Sequence, residues 1–209
     1  MLPSRTCHIK KKRKLKKIRT VPLSNPAGKK LIDQREAAVD GRLAFGHWEM
    51  DTVYSGKNRG KGCLLVLTER ATRKEIIIKM PDRTAASTVA AIDRLERKLG
   101  RKTFKAMFQS ITCDNGVEFS DIFGIMKRNR TDVFHCHAYA SWERGSNENQ
   151  NKLIRRFIKK GDNISKYTKK QIQDIEDWIN MLPRKLFAGR SSFEMFEQAL
   201  SQLNIQTAQ

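Results

Sequence analysis

Acidic residues are scarce in this chain and absent from its first 32 positions. Against 22 Asp and Glu stand 42 Lys and Arg in 209 residues, a formal net charge of +20. An excess of that size is self-repelling unless a polyanion balances it. Phosphate neutralisation, which releases condensed counterions, points to nucleic acid as that partner. An anionic membrane surface is the competing polyanion, and a second absence argues against it. No apolar run approaches roughly 18 residues, and no amphipathic stretch has the look of a lipid anchor. No apolar core follows the basic N-terminus, so a signal peptide is not expected. Cysteine is sparse too: Cys7, Cys63, Cys113 and Cys136 are widely scattered with no CxxC pair. That spacing excludes a disulfide framework or a four-thiolate zinc site and fits reduced thiols in a cytoplasmic protein. His135, Cys136 and His137 are contiguous, but a strand turns the two His to one face and Cys136 to the other, an arrangement against zinc.

What is present is organised in blocks. The run KKKRKLKKIR, Lys10 to Arg19, repels itself and has little to bury, and Pro22, Asn25, Pro26 and Gly28 oppose regular structure after it. Residues 1–40 therefore read as an extended basic arm, with Lys10, Lys11, Lys12, Arg13 and Lys14 as DNA-backbone contacts. From Gly46 the texture changes. HWEMDTVYSG, GCLLVLTE and KEIIIKM are β-rich and joined by short polar turns, a three-strand antiparallel meander. In TAASTVAAIDRLERKLG the apolar residues Val89, Ile92, Leu95 and Leu99 recur at helical spacing, with Thr84 as N-cap and Gly100 as stop. FQSITCDNG reads as a fourth strand ending in a turn with a short helix after it, and DVFHCHAY as a fifth strand. Helices follow at Ser141–Lys160, Thr168–Leu182 and Ser191–Leu200. This order predicts an α/β fold, a mixed five-stranded sheet flanked by helices, over residues 41–200, with a tail at 201–209.

Three acids stand where chemistry could use them. Asp51 lies within the first strand, with Glu49 on the same face two residues earlier. Asp114 ends the fourth strand, and Glu148 sits in the helix after the fifth. Alone, each is ordinary: an Asp after a strand is usually a turn residue. Three carboxylates brought together in a dry site need a cation, because like charges raise each other's pKa. Their hard oxygens suit Mg²⁺ or Mn²⁺. Two such ions about 4 Å apart stabilise both the attacking and the leaving oxygen of an in-line phosphoryl transfer.

GHWEMDTV, ITCDNGVEF and SWERGSNENQNKLIRR resemble the three catalytic blocks of bacterial insertion-sequence transposases of the IS-thirty type. These are DDE enzymes with an RNase H-like, retroviral-integrase-like fold. The resemblance runs from about Arg35 to Phe196 and includes MPDRTAASTV and LPRK–SSFEMF. SWERGSNEN is its most specific block, whereas DNG alone is weak. The resemblance implies a metal-dependent DNA transposase that nicks element ends and joins the freed 3′-hydroxyl to target double-stranded DNA, acting as a homo-oligomer. It maps the catalytic, metal-binding triad to Asp51, Asp114 and Glu148, with two Mg²⁺ or Mn²⁺ ions. Arg144, Lys152 and Arg155, at −4, +4 and +7 from Glu148, then share its helical face as phosphate contacts. Asn147, Asn149 and Asn151 are left open between bases, phosphates and helix-start chemistry, and Trp48 and Trp142 read as core or shelf residues. Departures from the pattern are Ser141, where many DDE transposases have Tyr, Val117, where close relatives often have Lys, and no recognisable helix-turn-helix before the arm. Two other readings stand beside this one: a truncated, non-catalytic DNA-binding remnant, and an RNase H-like nuclease without strand transfer.

Overall fold

The computed structural model describes residues 29–137 and 145–203, the side chains of 145–148 excepted. The meander is β2 (His47–Tyr54), β3 (Cys63–Glu69) and β4 (Glu75–Met80), all antiparallel neighbours. Next come α1 (Ala85–Leu99), α2 (Arg101–Met107) and β5 (Ser110–Cys113). A short α3 (Ile122–Ile125) leads to β6 (Asp132–His135). Then α4 (Gly145–Phe157), α5 (Lys169–Met181) and α6 (Ser192–Gln202) complete the described elements. The caps are those the sequence suggests: Thr84 accepts from the Ser87 N–H, and Gly100, at φ 80°, ends α1. Thr168 and Ser191 each build a capping box, with Gln171 and Glu194.

The mixed sheet flanked by helices is present, and a sixth strand joins it. Lys30–Leu31 forms β1, parallel to β6, so the order is β1-β6-β5-β2-β3-β4. The segment 30–40, placed in the arm by composition, is docked on the sheet. Arg35 donates from Nη1 to Thr112 Oγ1 at 2.8 Å, and Val39 is buried. The core thus begins before position 41. Also missed by pattern was α2, whose Phe104 and Met107 bury beside α1. It carries only one apolar turn between Gly100 and Phe108, too short a run for periodicity to register.

Both faces of the sheet are covered, which is why every residue of β3 is buried. On one face Trp48, Met50, Leu65, Leu67 and Ile111 pack under α1, α2 and α6. The Trp48 ring stacks on Phe108 at 4.4 Å, and its Nε1–H reaches the Met107 carbonyl at 2.7 Å, so it is a core residue. On the other face Val53, Leu64, Val66 and Ile77 meet Ile154 of α4 and Ile172, Ile175 and Ile179 of α5.

This second face also carries a buried polar row. Thr112, Glu49, Thr68 and Glu75 are register neighbours across four strands, and all are fully buried. Glu49 accepts from Arg70 Nη1 at 2.9 Å, and Thr68 Oγ1 donates to Glu75 at 2.7 Å. β4 is the sheet edge, and α5 satisfies its backbone with side chains. Asn180 bonds both the N–H and the carbonyl of Glu75, and Glu176 accepts from the Ile77 N–H.

Desolvation holds the Glu75 carboxyl well above the usual 4.5, with Thr68 opposing only in part. A carboxyl whose folded pKa is raised gives stability that is complete below the unfolded value and lost as pH rises towards the folded one. Melting temperature is therefore expected to fall as pH is raised from about 4.5. Glu75→Gln should flatten that fall, and an unchanged pH profile in the variant would show Glu75 to be charged and accommodated.

Candidate active site

Asp51 is two residues beyond Glu49 on β2, and Asp114 is two beyond Thr112 of β5. Because Glu49 and Thr112 are register partners on parallel strands, the two Asp that follow them by two residues are near neighbours, Asp51 within β2 and Asp114 just past the end of β5. Neighbouring strands lie about 4.8 Å apart, within reach of one shared ion. The chain also diverges here: from β2 it proceeds to β3 and β4, from β5 to β6. That makes this the point in an open α/β sheet where a crevice forms at the strands' carboxyl ends.

Each Asp is held by its own network. Asp51 Oδ1 accepts from the Thr52 N–H at 2.8 Å, and Oδ2 from Asn151 Nδ2 of α4, also at 2.8 Å. Asp114 Oδ1 accepts from the Gly116 N–H at 2.8 Å, closing the DNG turn. Asn115 Nδ2 donates to the Cys136 carbonyl at 2.9 Å, and Lys29 Nζ meets Asn115 Oδ1. The His135 ring contributes Nδ1 at 3.0 Å from the Asp114 carbonyl. Burial, with Lys29 adding to it, lowers the His135 pKa, and because a carbonyl can only accept, Nδ1 is the donor in this bond. His135 thus anchors the backbone of Asp114, while His137 turns to Asp33 at 2.9 Å. Cys63 is a packing residue, its thiol pushed up to about 12 by desolvation.

Asn151, left open by the sequence, is the contact that fixes α4 against Asp51. Glu148 precedes it by three residues, one turn back on the same helical face. The Glu148 side chain lies outside the described residues, as do Arg144 and Lys10, Lys11, Lys12, Arg13 and Lys14. Lys152 is exposed, and Arg155 donates from Nη2 to the Tyr54 carbonyl at 3.3 Å, just beyond Asp51 on β2. Tyr54 is itself exposed, with the Arg83 guanidinium 4.7 Å from its ring centroid.

Among the described residues no three His, Cys, Asp or Glu form a ready metal cluster. The two Asp bring hard oxygen donors, one ligand short of a triad. Two orphaned acceptors border them: Asn151 Oδ1 and Glu118 Oε2 are buried without a hydrogen-bond partner among the described residues. Carboxylates together with unfilled acceptors fit a hydrated divalent cation, whose waters are donors. Sequence reading assigned no role to Glu118 or Arg83. The signal available for Glu118 was an acid four residues after Asp114, inside the quoted ITCDNGVEF block.

Residues 42–141 match the integrase core domain family. Among curated relatives, a probable transposase for the insertion-like sequence element IS1161 of Streptococcus salivarius is 36% identical, over 80% of this chain and 46% of that protein. The transposase for insertion sequence element IS4351 of Bacteroides fragilis is 37% identical, over 83% and 51%. The InsI transposase of IS30A in Escherichia coli K12 is 28% identical, over 81% and 43%. The chain thus spans about half the length of these curated relatives. Of solved structures, the catalytic core domain of BIV integrase superposes with a TM-score of 0.56 at 15% identity, covering 77% of this chain and 99% of that one. A simian T-cell lymphotropic virus intasome, in complex with a PP2A regulatory subunit, gives the same score and identity over 73% and 54%. At that identity the likeness is one of fold.

Proposed function

The chain carries an integrase core domain and is a relative of the IS30-type insertion-sequence transposases, and on that premise we propose that it is the catalytic core of a DNA transposase, cutting element ends and joining a 3′-hydroxyl to target DNA. One observation carries the reading: Asp51 within β2 and Asp114 just past the end of the parallel β5 each follow a register partner by two residues, and the Asn151–Asp51 bond brings the Glu148 face of α4 to Asp51.

In this mechanism Asp51, Asp114 and Glu148 would hold Mg²⁺ or Mn²⁺. When bound, two such ions polarise the phosphoryl oxygens and lower the pKa of the attacking water or 3′-hydroxyl. The chain's own residues hold the geometry. The Thr52 N–H and Asn151 aim the two oxygens of Asp51, and His135 and Asn115 fix the turn that bears Asp114. Lys152 and Arg155, on the outer part of the Glu148 face, meet the DNA phosphates. Lys10, Lys11, Lys12, Arg13 and Lys14, and Arg144, add salt-dependent backbone contacts. Two DNA ends are paired by a homo-oligomer, in the bacterial cytoplasm. No helix among the described residues is long and apolar enough to cross a membrane.

The test is a nicking and strand-transfer assay with pre-cut oligonucleotide ends and supercoiled plasmid in Mg²⁺ or Mn²⁺, wild type beside Glu148→Gln. Joined products from wild type and none from the variant are expected. Hydrolysis without joining would favour a nuclease, and DNA binding with no cleavage by either protein a non-catalytic remnant.

A further inference from the structure

Glu118 lies in the short 3-10 turn Val117–Phe119 that follows the Asp114 turn, and it is 1% exposed. Its two oxygens have different surroundings. Oε1 accepts from Thr52 Oγ1 at 2.8 Å and from Arg83 Nε at 2.6 Å. Those bonds tie the Asp114 turn to the residue after Asp51 and to the β4–α1 connection. Oε2 is buried with no partner among the described residues.

The position of Oε2 gives this orphan a meaning. A Cβ added at Gly116 would lie 2.5 Å from Glu118 Oε2 and 2.9 Å from Asp114 Oδ1. The two carboxylate oxygens thus crowd the same side of the Gly116 backbone, so closely that a side chain there would collide with both. Gly116 has φ −62° and ψ 146°, which any residue adopts. Backbone conformation therefore does not require glycine here, whereas the close approach of Glu118 does. Asp114 Oδ1 already accepts from the Gly116 N–H, whereas the buried Glu118 Oε2 beside it still needs a donor or a cation.

We propose that Glu118 is a fourth carboxylate of the metal centre, a positioning residue whose Oε2 accepts a hydrogen bond from water on a divalent cation held by Asp114. This rests on the metal-centre reading above. The role is that of an outer partner: Asp114 supplies the ligand, and Glu118 orients the water and adds negative charge without taking a coordination position. Arg83 and Thr52 hold Oε1 and so direct Oε2 to the Asp114 side. The link also gives the centre a route to the surface, because Arg83 lies over the exposed Tyr54 ring.

The experiment is Mn²⁺ binding to the full chain without DNA, followed by electron paramagnetic resonance of the free ion. It compares wild type, Glu118→Gln and Asp114→Asn, with circular dichroism and melting of each metal-free protein. Glu118→Gln retains an acceptor for Thr52 and Arg83, so its metal-free fold should match wild type. Its Mn²⁺ affinity should fall about 10- to 100-fold, and Asp114→Asn should lose binding. Wild-type affinity in Glu118→Gln beside lost binding in Asp114→Asn would overturn the proposal and leave Glu118 a structural tie. No Mn²⁺ bound by wild type would overturn the metal-centre reading itself, and this inference with it. Should Glu118→Gln fail to fold, Gly116→Ala answers the same question by pushing Glu118 Oε2 away from Asp114 while keeping both carboxylates. Weaker Mn²⁺ binding is expected there, and unchanged affinity would overturn the proposal.

Discussion

Asp51→Asn is expected to leave the fold intact and to lower metal-dependent strand transfer on the order of a thousandfold or more, the loss of several kcal/mol of transition-state stabilisation. The side chain is only half-buried and adds nothing to either apolar core, so an isosteric amide costs little in packing. Its charge is another matter. Oδ1 is set by the Thr52 N–H, and Oδ2 by the Asn151 amide. An Asn at this position keeps one acceptor and turns an NH₂ towards one of those donors. It therefore removes a carboxylate from the proposed metal site and also loosens α4, the helix that bears Glu148. Single-turnover joining of pre-cut ends, with circular dichroism as the control for folding, makes the measurement. Turnover within tenfold of wild type would remove Asp51 from the triad.

Arg70→Met is expected to destabilise the chain by about 3–5 kcal/mol, measured by urea unfolding. Glu49 is fully buried two residues before Asp51, and the Arg70 guanidinium at 2.9 Å is its close partner. Arg42 stands off at 4.0 Å, on the edge of an ion pair. Removing Arg70 takes a hydrogen-bonded counter-charge from a carboxylate held between the sheet and the helices on this face, and also removes the Nη2 bond to the Val39 carbonyl that helps dock residues 30–40. The double variant Glu49→Gln/Arg70→Met should recover much of the loss, because a neutral amide needs no counter-charge. Equal instability of single and double variants would mean that Arg70 acts through packing and the Val39 contact instead.

Glu49 also shows where a strand pattern is ambiguous. Alternation put it correctly on the face of Asp51, and nothing local distinguishes the two acids. Their difference arises from position along β2: Glu49 lies in mid-row between Thr112 and Thr68, under Arg70, while Asp51 lies at the end of the β5 pairing, where the neighbouring strand stops. The same holds for Glu118. Its burial depends on Thr52 and Arg83, 66 and 35 residues away in sequence, and no window around DNGVEF contains them.

Local order was legible where the determinants are local. The meander, α1 with Thr84 and Gly100 at its ends, and the capped starts of α5 and α6 depend on alternation, helical spacing and side-chain caps within a few residues. The Asp51, Asp114 and Glu148 blocks were legible by resemblance. The extent of the docked segment was not: Arg35 belongs by composition to a basic arm, and only Thr112, 77 residues on, makes it a core residue. By itself the sequence determined the polyanion-seeking charge, the α/β order of elements and the candidate acids. The tertiary structure decided which acids share a row and which oxygens lack a donor. The physical reason is that strand register and burial join residues 60 to 100 positions apart, while propensity and periodicity act over a turn or a strand.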